Sequence, residues 1–304
     1  MFAPFPKIGY SFDLSERGKI TAVTNIFTRF KIKENVLNNA YALYKYQYEE
    51  NDTPEIVSYK EYGDPQYHWI ISGVNEILDP LRVFVSDKEF VKLYIKSNVG
   101  DQYNVPTIAI LKNTREVDSY NFPANCCIKP THACGRIILR KNAEVINKEI
   151  INQWFSLNFY MTSGEKNYKH LKPKIIVEPL IFDSVEVEDY KFFCFKGKAH
   201  FIQLDVNRHT DHRRAIFDTN WNLQNFTILH PKPDLTTTIK KPNNLEEMIK
   251  VAEKLSSKFE FIRVDLYSNG EKCLVGEITN CHGAAAERFI PPESELEVSK
   301  FFFS

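Results

Sequence analysis

The sequence predicts an α+β protein of two modules: a small strand–helix–helix module over residues 1–86 and a larger one over 87–304, built from antiparallel sheets with flanking helices. Three observations point there. Two apolar runs meet around Ser268-Asn269-Gly270 and two more across Lys196-Gly197, each reading as a hairpin. Leu245, Met248, Ile249, Ala252 and Leu255 recur at helical spacing behind Asn243-Asn244, with Glu246 and Glu247 placed well for the helix dipole. In the first 86 residues, two helix-start signals, Asp52-Thr53-Pro54-Glu55 and Asp64-Pro65, follow an alternating aromatic run.

Residues 1–33 read as irregular and aromatic. Tyr44, Tyr46 and Tyr48 alternate, which suits a strand over 41–48. A helix then runs from Pro54 to Gly63, and a second from Pro65 carries Tyr67, Trp69, Ile70 and Val74 before a turn at Asp79-Pro80 and a short extended exit. Ser86-Asp87-Lys88-Glu89 ahead of Phe90, Val91, Tyr94 and Ile95 forms a capping box opening an amphipathic helix. Val105 to Leu111 is a short strand of buried type.

Residues 125–140 read as strand, tight loop and strand, with Lys129 at the strand end and His132 to Gly135 in the loop. Backbone N–H groups of such a loop, beside a fixed ammonium, can hold a polyphosphate, although with only one glycine a plain hairpin is the commoner outcome of this pattern. Helix signals return over 144–160, and Lys174 to Ile181 is a buried strand that ends in Glu178. The polar segment 205–243 reads as an exposed loop in which Arg213 or Arg214 offers a fork for phosphate.

Composition excludes some classes of function. Lys+Arg and Asp+Glu both number 39, with no basic stripe, so nucleic acid is not an expected partner. The six cysteines include no Cys-x-x-Cys pair, which predicts free thiols and a reducing compartment. His132, Cys134, Cys281 and His282 match no standard zinc spacing. Met1 to Pro6 has no basic or long apolar leader and no eighteen apolar residues run together, so a soluble, unprocessed chain with no membrane span is expected.

The sharpest chemistry lies in 263–280. Asp265 and Glu277 converge only if their strands pair about residue 271, which requires a connection of roughly three to five residues. Two buried carboxylates aimed at one point repel unless a cation or shared proton lies between them, and oxygen ligation with room for phosphate suits Mg²⁺. A surface hairpin with solvated acids is the alternative.

Two resemblances follow from longer patterns. Asn25-Ile-Phe-x-Arg-Phe30, Thr53-Pro-Glu-x-Val57, Tyr62-Gly-Asp-Pro-Gln-Tyr-His-Trp69 and Asn75-Glu-Ile-x-Asp-Pro80 resemble the small baseplate wedge protein of T4-like contractile-tailed bacteriophages. That resemblance implies a virion tail baseplate location, after assembly in host cytoplasm, with other baseplate and tail subunits as partners through residues 1–86. The same Tyr-Gly, Trp, Asn and Pro rhythm is similar to LysM modules, which implies a peptidoglycan binder instead. In the second module, Ile128-Lys-x-x-His-x-x-Gly135, Glu165-x-x-Tyr168, Val177-Glu178, Asp189-Tyr-Lys-Phe-Phe-Cys-Phe-x-Gly197, Arg263-Val-Asp-Leu-Tyr267 and Gly276-Glu-Ile-Thr279 resemble the TupA-like branch of the ATP-grasp superfamily.

What the second resemblance implies is an ATP-grasp fold and an ATP-dependent ligase that phosphorylates a carboxylate and lets an amine displace the phosphate. Lys129 would contact the nucleotide, the loop from His132 to Gly135 would cover its phosphates, and Glu178 with the backbone through Leu180 would form the adenine hinge. Asp265 and Glu277 would bind Mg²⁺, with Asn280 near the third metal position, and Lys191 and Arg263 would face phosphate or acyl phosphate. The chain departs from the family pattern in the missing second loop glycine and in Thr279, where an Asn is usual. A non-catalytic domain in a structural virion protein is therefore the alternative reading.

Overall fold

The computed structural model describes residues 7–10, 21–24, 54–63 and 80–303, except 184–186, 208–209, 235–238 and 286. The chain divides into two compact units, Met1–Asp79 and Pro80–Ser304. In the first, β1 (Lys7–Tyr10) pairs antiparallel with β2 (Thr21–Thr24), so part of the stretch read as irregular is a ladder. α1 (Pro54–Tyr62) starts at the expected proline and stops at Gly63, whose φ of 71° suits a residue without Cβ. The expected strand at 41–48, the second helix with Trp69, and hence the LysM-like arrangement lie outside the described residues.

The second unit opens with α2 (Pro80–Ser86), a correction to the turn and extended exit expected at Asp79-Pro80. Proline's fixed φ and missing N–H serve the first position of a helix as well as they serve a turn. α3 (Phe90–Asn98) is capped by Asp87 rather than Ser86: Asp87 Oδ1 accepts from Glu89 N at 2.8 Å, while Ser86 Oγ donates back to Arg82 O at 2.7 Å. There follow β3 (Ala109–Leu111), α4 (Thr114–Ser119), β4 (Cys126–Pro130), β5 (Ile138–Arg140), α5 (Lys148–Trp154), α6 (Phe159–Ser163) and β6 (Ile175–Glu178). Then come β7 (Glu188–Phe195), β8 (Lys198–Val206), β9 (Arg213–Asp218), β10 (Thr227–Ile228), α7 (Leu245–Ser256), β11 (Phe261–Ser268), β12 (Cys273–Thr279), β13 (Phe289–Ile290) and α8 (Ser294–Phe303).

These strands make a four-stranded sheet in the order β3-β6-β4-β5, a five-stranded sheet in the order β12-β11-β7-β8-β9, and the small pair β10-β13. Alternation sorts the five-stranded sheet into two faces. Tyr190, Phe192, Ile202, Val264 and Leu266 go into the main core with Leu245, Met248, Ala252 and Leu255 of α7. Each such side chain, fully buried, contributes about 1.5–3 kcal/mol. The other face carries Asp189, Lys191 and Phe193 on β7 and Arg263, Asp265 and Tyr267 on β11. A second core packs Ile128, Ile175 and Val177 of the four-stranded sheet against Ile151 and Trp154 of α5.

The segment 205–243 is not one exposed loop, since β9 and β10 cross it. Arg214 is buried, because ion pairing with Asp205 (2.6 Å) and Glu287 (3.2 Å) and a bond to Ile228 O (3.0 Å) satisfy its fork. Arg213 binds Asp211 at 2.8 Å.

Candidate functional site

β11 and β12 form the hairpin, joined by Asn269 to Lys272, a connection of the expected length. Asp265 lies directly opposite Glu277, but from Leu266 onward the register is shifted by one: Leu266 pairs with Val275, leaving Gly276 as a bulge. Continued without that bulge, the ladder would set Gly276 opposite Asp265 and turn Glu277 to the face of Val264, into the helical core. The bulge therefore puts the second carboxylate beside the first. Glycine suits the position sterically, because a Cβ there would stand 2.5 Å from Tyr267 Cε2 and 2.8 Å from Cζ.

Cations from two strands converge on Asp265. Arg263 grips it with two parallel bonds, Nε to Oδ1 and Nη2 to Oδ2, both 2.7 Å, and Lys191 Nζ, directly across on β7, donates to Oδ2 at 3.0 Å. Lys191 also bonds Asp189 on its own strand. Burial alone would raise the Asp265 carboxyl, but Arg263 and Lys191 overcome it and hold it below the ordinary range. Burial likewise works against charge on Lys191, and Asp265 and Asp189 outweigh it, so the ammonium is held above its ordinary value.

Glu277 has lighter company. Its Oε1 accepts from Cys134 Sγ at 3.3 Å, and the same thiol meets Tyr168 OH at 3.1 Å. Burial, then the Glu277 charge, pushes the Cys134 thiol up to about 11. Glu165 is raised by burial first and by Glu277 second, the behaviour of two carboxylates sharing one region.

The loop carrying Cys134 belongs to the four-stranded sheet, so this contact brings that sheet's loop against β12. On the same sheet Lys129 Nζ binds Glu178 Oε2 at 2.7 Å, and Lys92 from α3 binds Oε1 at 2.5 Å. Burial would raise Glu178, and the two lysines together hold it below its ordinary value. Lys129 is held above its ordinary value, because Glu178 and the nearby Tyr267 outweigh its burial.

Lys129, Lys191, Arg263, Asp265 and Glu277 thus belong to one neighbourhood built from both sheets. His132 is turned into the protein, its Nε2 3.1 Å from Trp154 O, and burial lowers its pKa. Gly135 has φ of 72° with open space where a Cβ would be. Leu180, half-buried, follows Glu178 on the segment leading from the four-stranded to the five-stranded sheet. Asn280 is engaged with α2: its Nδ2 donates to Arg82 O and Ser86 Oγ, both at 2.9 Å, and its Oδ1 accepts from Arg82 Nη1 at 3.3 Å. Sequence reasoning missed Lys92, which lies on a helix legible only by its capping box and apolar positions, and Asp189, which shares a strand face with Lys191 two residues on and was legible by that alternation.

The family model described as TupA-like ATPgrasp matches residues 75–302. The chain belongs to the TupA-like ATP-grasp family. A second family model, Base plate wedge protein 53, matches residues 1–107, so the two matches overlap over 75–107. Among solved structures, the chain is similar to a D-alanine–D-alanine ligase from Helicobacter pylori at 19% identity, covering 67% of this chain and 53% of that one, with a TM-score of 0.35. For the D-alanine–D-alanine ligase from Bacillus anthracis the figures are 17%, 71%, 63% and 0.39. For the ATP-grasp ligase PsnB complexed with minimal precursor they are 12%, 76%, 66% and 0.40. The chain spans little more than half the length of the Helicobacter pylori enzyme. No curated protein gives a match.

An ATP-grasp domain implies nucleotide and magnesium, and the donor set bears on the metal. Among the described residues no group of three or more His, Cys, Asp or Glu side chains is gathered for a metal ion. Mg²⁺, however, is commonly held by one or two carboxylates together with substrate phosphates rather than by a protein cage. Asp265 and Glu277 fit that arrangement. Both Asp265 oxygens are shared with Arg263 and Lys191, so an ion arriving there competes with two side-chain cations.

Proposed function

We propose that this protein is a bacteriophage tail baseplate component whose ATP-grasp domain binds Mg-ATP and joins a carboxylate to an amine. One observation carries the chemical half: Lys129, Lys191 and Arg263 are interleaved with Glu178, Asp265 and Glu277 in a single partly buried neighbourhood, with Glu277 placed there by the Gly276 bulge. The match of the wedge-protein model to residues 1–107 supports the assembly half, with tail subunits as partners and the virion as location.

In this reading a carboxylate oxygen takes the γ-phosphoryl group of ATP and releases ADP. The amine nitrogen then forms the C–N bond while the C–O bond to phosphate breaks, and its surplus protons leave to solvent. Asp265 and Glu277 would hold a magnesium ion there, which would supply neutralisation of phosphate charge. Lys191 and Arg263 present fixed positive charge where it develops, and Lys129 holds the nucleotide against the hinge that begins at Glu178. Alignment and neutralisation are what these residues offer, and no covalent nucleophile is required of them.

Crystals soaked with a non-hydrolysable ATP analogue and Mg²⁺ test the reading. Density between Lys129 and Glu277 is the expected result, and analogue density elsewhere or nowhere contradicts it. The engagement of both Asp265 oxygens and the Thr279 substitution favour a second reading, a structural virion protein with a non-catalytic domain. That reading predicts wild-type particles from an Arg263→Ala phage, whereas the ligase reading predicts an unmodified acceptor in them. Retention of the purified chain on peptidoglycan would support the LysM-type alternative.

A further inference from the structure

The Cys134 thiol stands among three polar groups from three parts of the chain, and their chemistry decides where its hydrogen goes. Glu277 Oε1 lies 3.3 Å from Sγ, Tyr168 OH 3.1 Å and Lys88 Nζ 3.7 Å. An ionised carboxylate only accepts and an ammonium only donates, whereas a thiol offers one hydrogen and a weakly accepting sulfur. The thiol hydrogen therefore goes to Glu277. Tyr168 OH has no other hydrogen-bond partner among the described residues, so it donates to Sγ. The result is a chain from Tyr168 O–H through Cys134 S–H to Glu277 Oε1.

The frame that holds this chain does not depend on Glu277. Lys88 N, ahead of α3, donates to Thr131 O at 3.1 Å, and Lys88 Nζ donates to Ala133 O at 2.9 Å, which ties the loop at two carbonyls ahead of Cys134. Tyr168 ends the short turn Lys166–Tyr168, is buried, and packs its ring edge-on against Phe159 with centroids 4.8 Å apart. Glu277 itself is held by one oxygen only. Its Oε1 takes the thiol, and its Oε2 has no hydrogen-bond or ion-pair partner among the described residues. Asp265, by contrast, has both oxygens engaged by Arg263 and Lys191. Of the two carboxylates, Glu277 is the one with an oxygen open to a cation, and the bond from Cys134 selects which oxygen that is.

We propose that Cys134 is a positioning residue for the magnesium carboxylate: its S–H, backed by Tyr168, holds Glu277 Oε1 and so presents Oε2 to the ion. The inference rests on the Mg-ATP reading of the site. A carboxylate that turns freely spreads its oxygens over several orientations, and a hydrogen bond to the oxygen the metal does not use removes that freedom. Outer partners of this kind are worth about 10–100-fold in metal affinity.

Fluorescence titration of the full chain with a mant-labelled ADP, repeated across a series of Mg²⁺ concentrations, tests it in the wild type, Cys134→Ala, Cys134→Ser and Tyr168→Phe. Cys134→Ala should raise the Mg²⁺ concentration for half-maximal binding about tenfold or more. Cys134→Ser, whose hydroxyl still donates, should restore most of that loss. Tyr168→Phe, which removes only the O–H, should give a smaller rise in the same direction, and it decides the matter should Cys134→Ala not melt cooperatively. A side chain that merely packed the loop would make Ala and Ser alike and would lower binding at saturating Mg²⁺ instead of raising the Mg²⁺ requirement. A wild-type Mg²⁺ requirement in both Cys134→Ala and Tyr168→Phe, or Ser failing as Ala does, would overturn the proposal and leave the nucleotide reading standing. Wild-type protein without Mg²⁺-dependent binding would overturn both.

Discussion

Gly276→Ala is the substitution that most directly probes how the site is assembled. A methyl group there would lie 2.5 Å from Tyr267 Cε2, 2.8 Å from Cζ and 3.1 Å from Oη, about 1 Å inside ordinary carbon contact. Tyr267 is on β11, paired with Asp189 of β7 and Leu274 of β12, so the ring can yield only by leaving its rotamer or by opening the bulge. Overpacking of this kind costs about 1–3 kcal/mol. At roughly 2–4 °C per kcal/mol for a domain of this size, melting should fall by about 2–12 °C. The cost belongs to a single contact, so it should largely vanish in a Tyr267→Ala background, where the two changes couple instead of adding. Thermal melts of the four proteins in that cycle measure it. A Gly276→Ala penalty of the same size with and without the Tyr267 ring would refute the steric account of the bulge.

Other expectations follow from the buried charges. Glu178→Gln leaves Lys92 and Lys129 without their shared carboxylate and should cost about 3–5 kcal/mol at pH 7 by chemical denaturation. The Glu178 carboxyl is held below its ordinary value in the fold, so its contribution is present above the unfolded value of about 4.5 and is lost as pH falls through the folded one. Wild type should therefore lose stability steadily below about pH 4.5, with a shallower slope in Glu178→Gln. The Cys134 thiol, pushed up to about 11, should alkylate with iodoacetamide roughly a hundredfold more slowly than a free cysteine at pH 8, as followed by peptide mass spectrometry. Alkylation at the free rate would remove the contact with Glu277 from the account.

The parts of this site that sequence made legible are those governed by period two. The length of the connection after Ser268 and the β7–β8 hairpin across Lys196-Gly197 come out as expected, because turn residues determine them locally, whereas Asp265 and Glu277 come opposite each other, as expected, only through the Gly276 bulge. β9 was missed for a physical reason: Arg214 faces inward, yet its charge is buried against Asp205 and Glu287, so the strand reads as polar. α2 was missed because a proline that ends one element and a proline that starts another look alike. The bulge was legible only as a glycine between apolar residues, and its effect on Glu277 depends on Tyr267, which is distant in neither sequence nor space but is visible only in three dimensions.

The central claim is that Asp265 and Glu277 act as a pair on a magnesium-bearing nucleotide. Calorimetric titration of the wild type, Asp265→Asn and Glu277→Gln with Mg-ADP, each repeated with EDTA, tests it most directly. Saturable Mg²⁺-dependent binding by the wild type, lost in both variants while their melting curves stay cooperative, is the predicted result. Nucleotide affinity that survives both substitutions, or that is indifferent to EDTA, would contradict it.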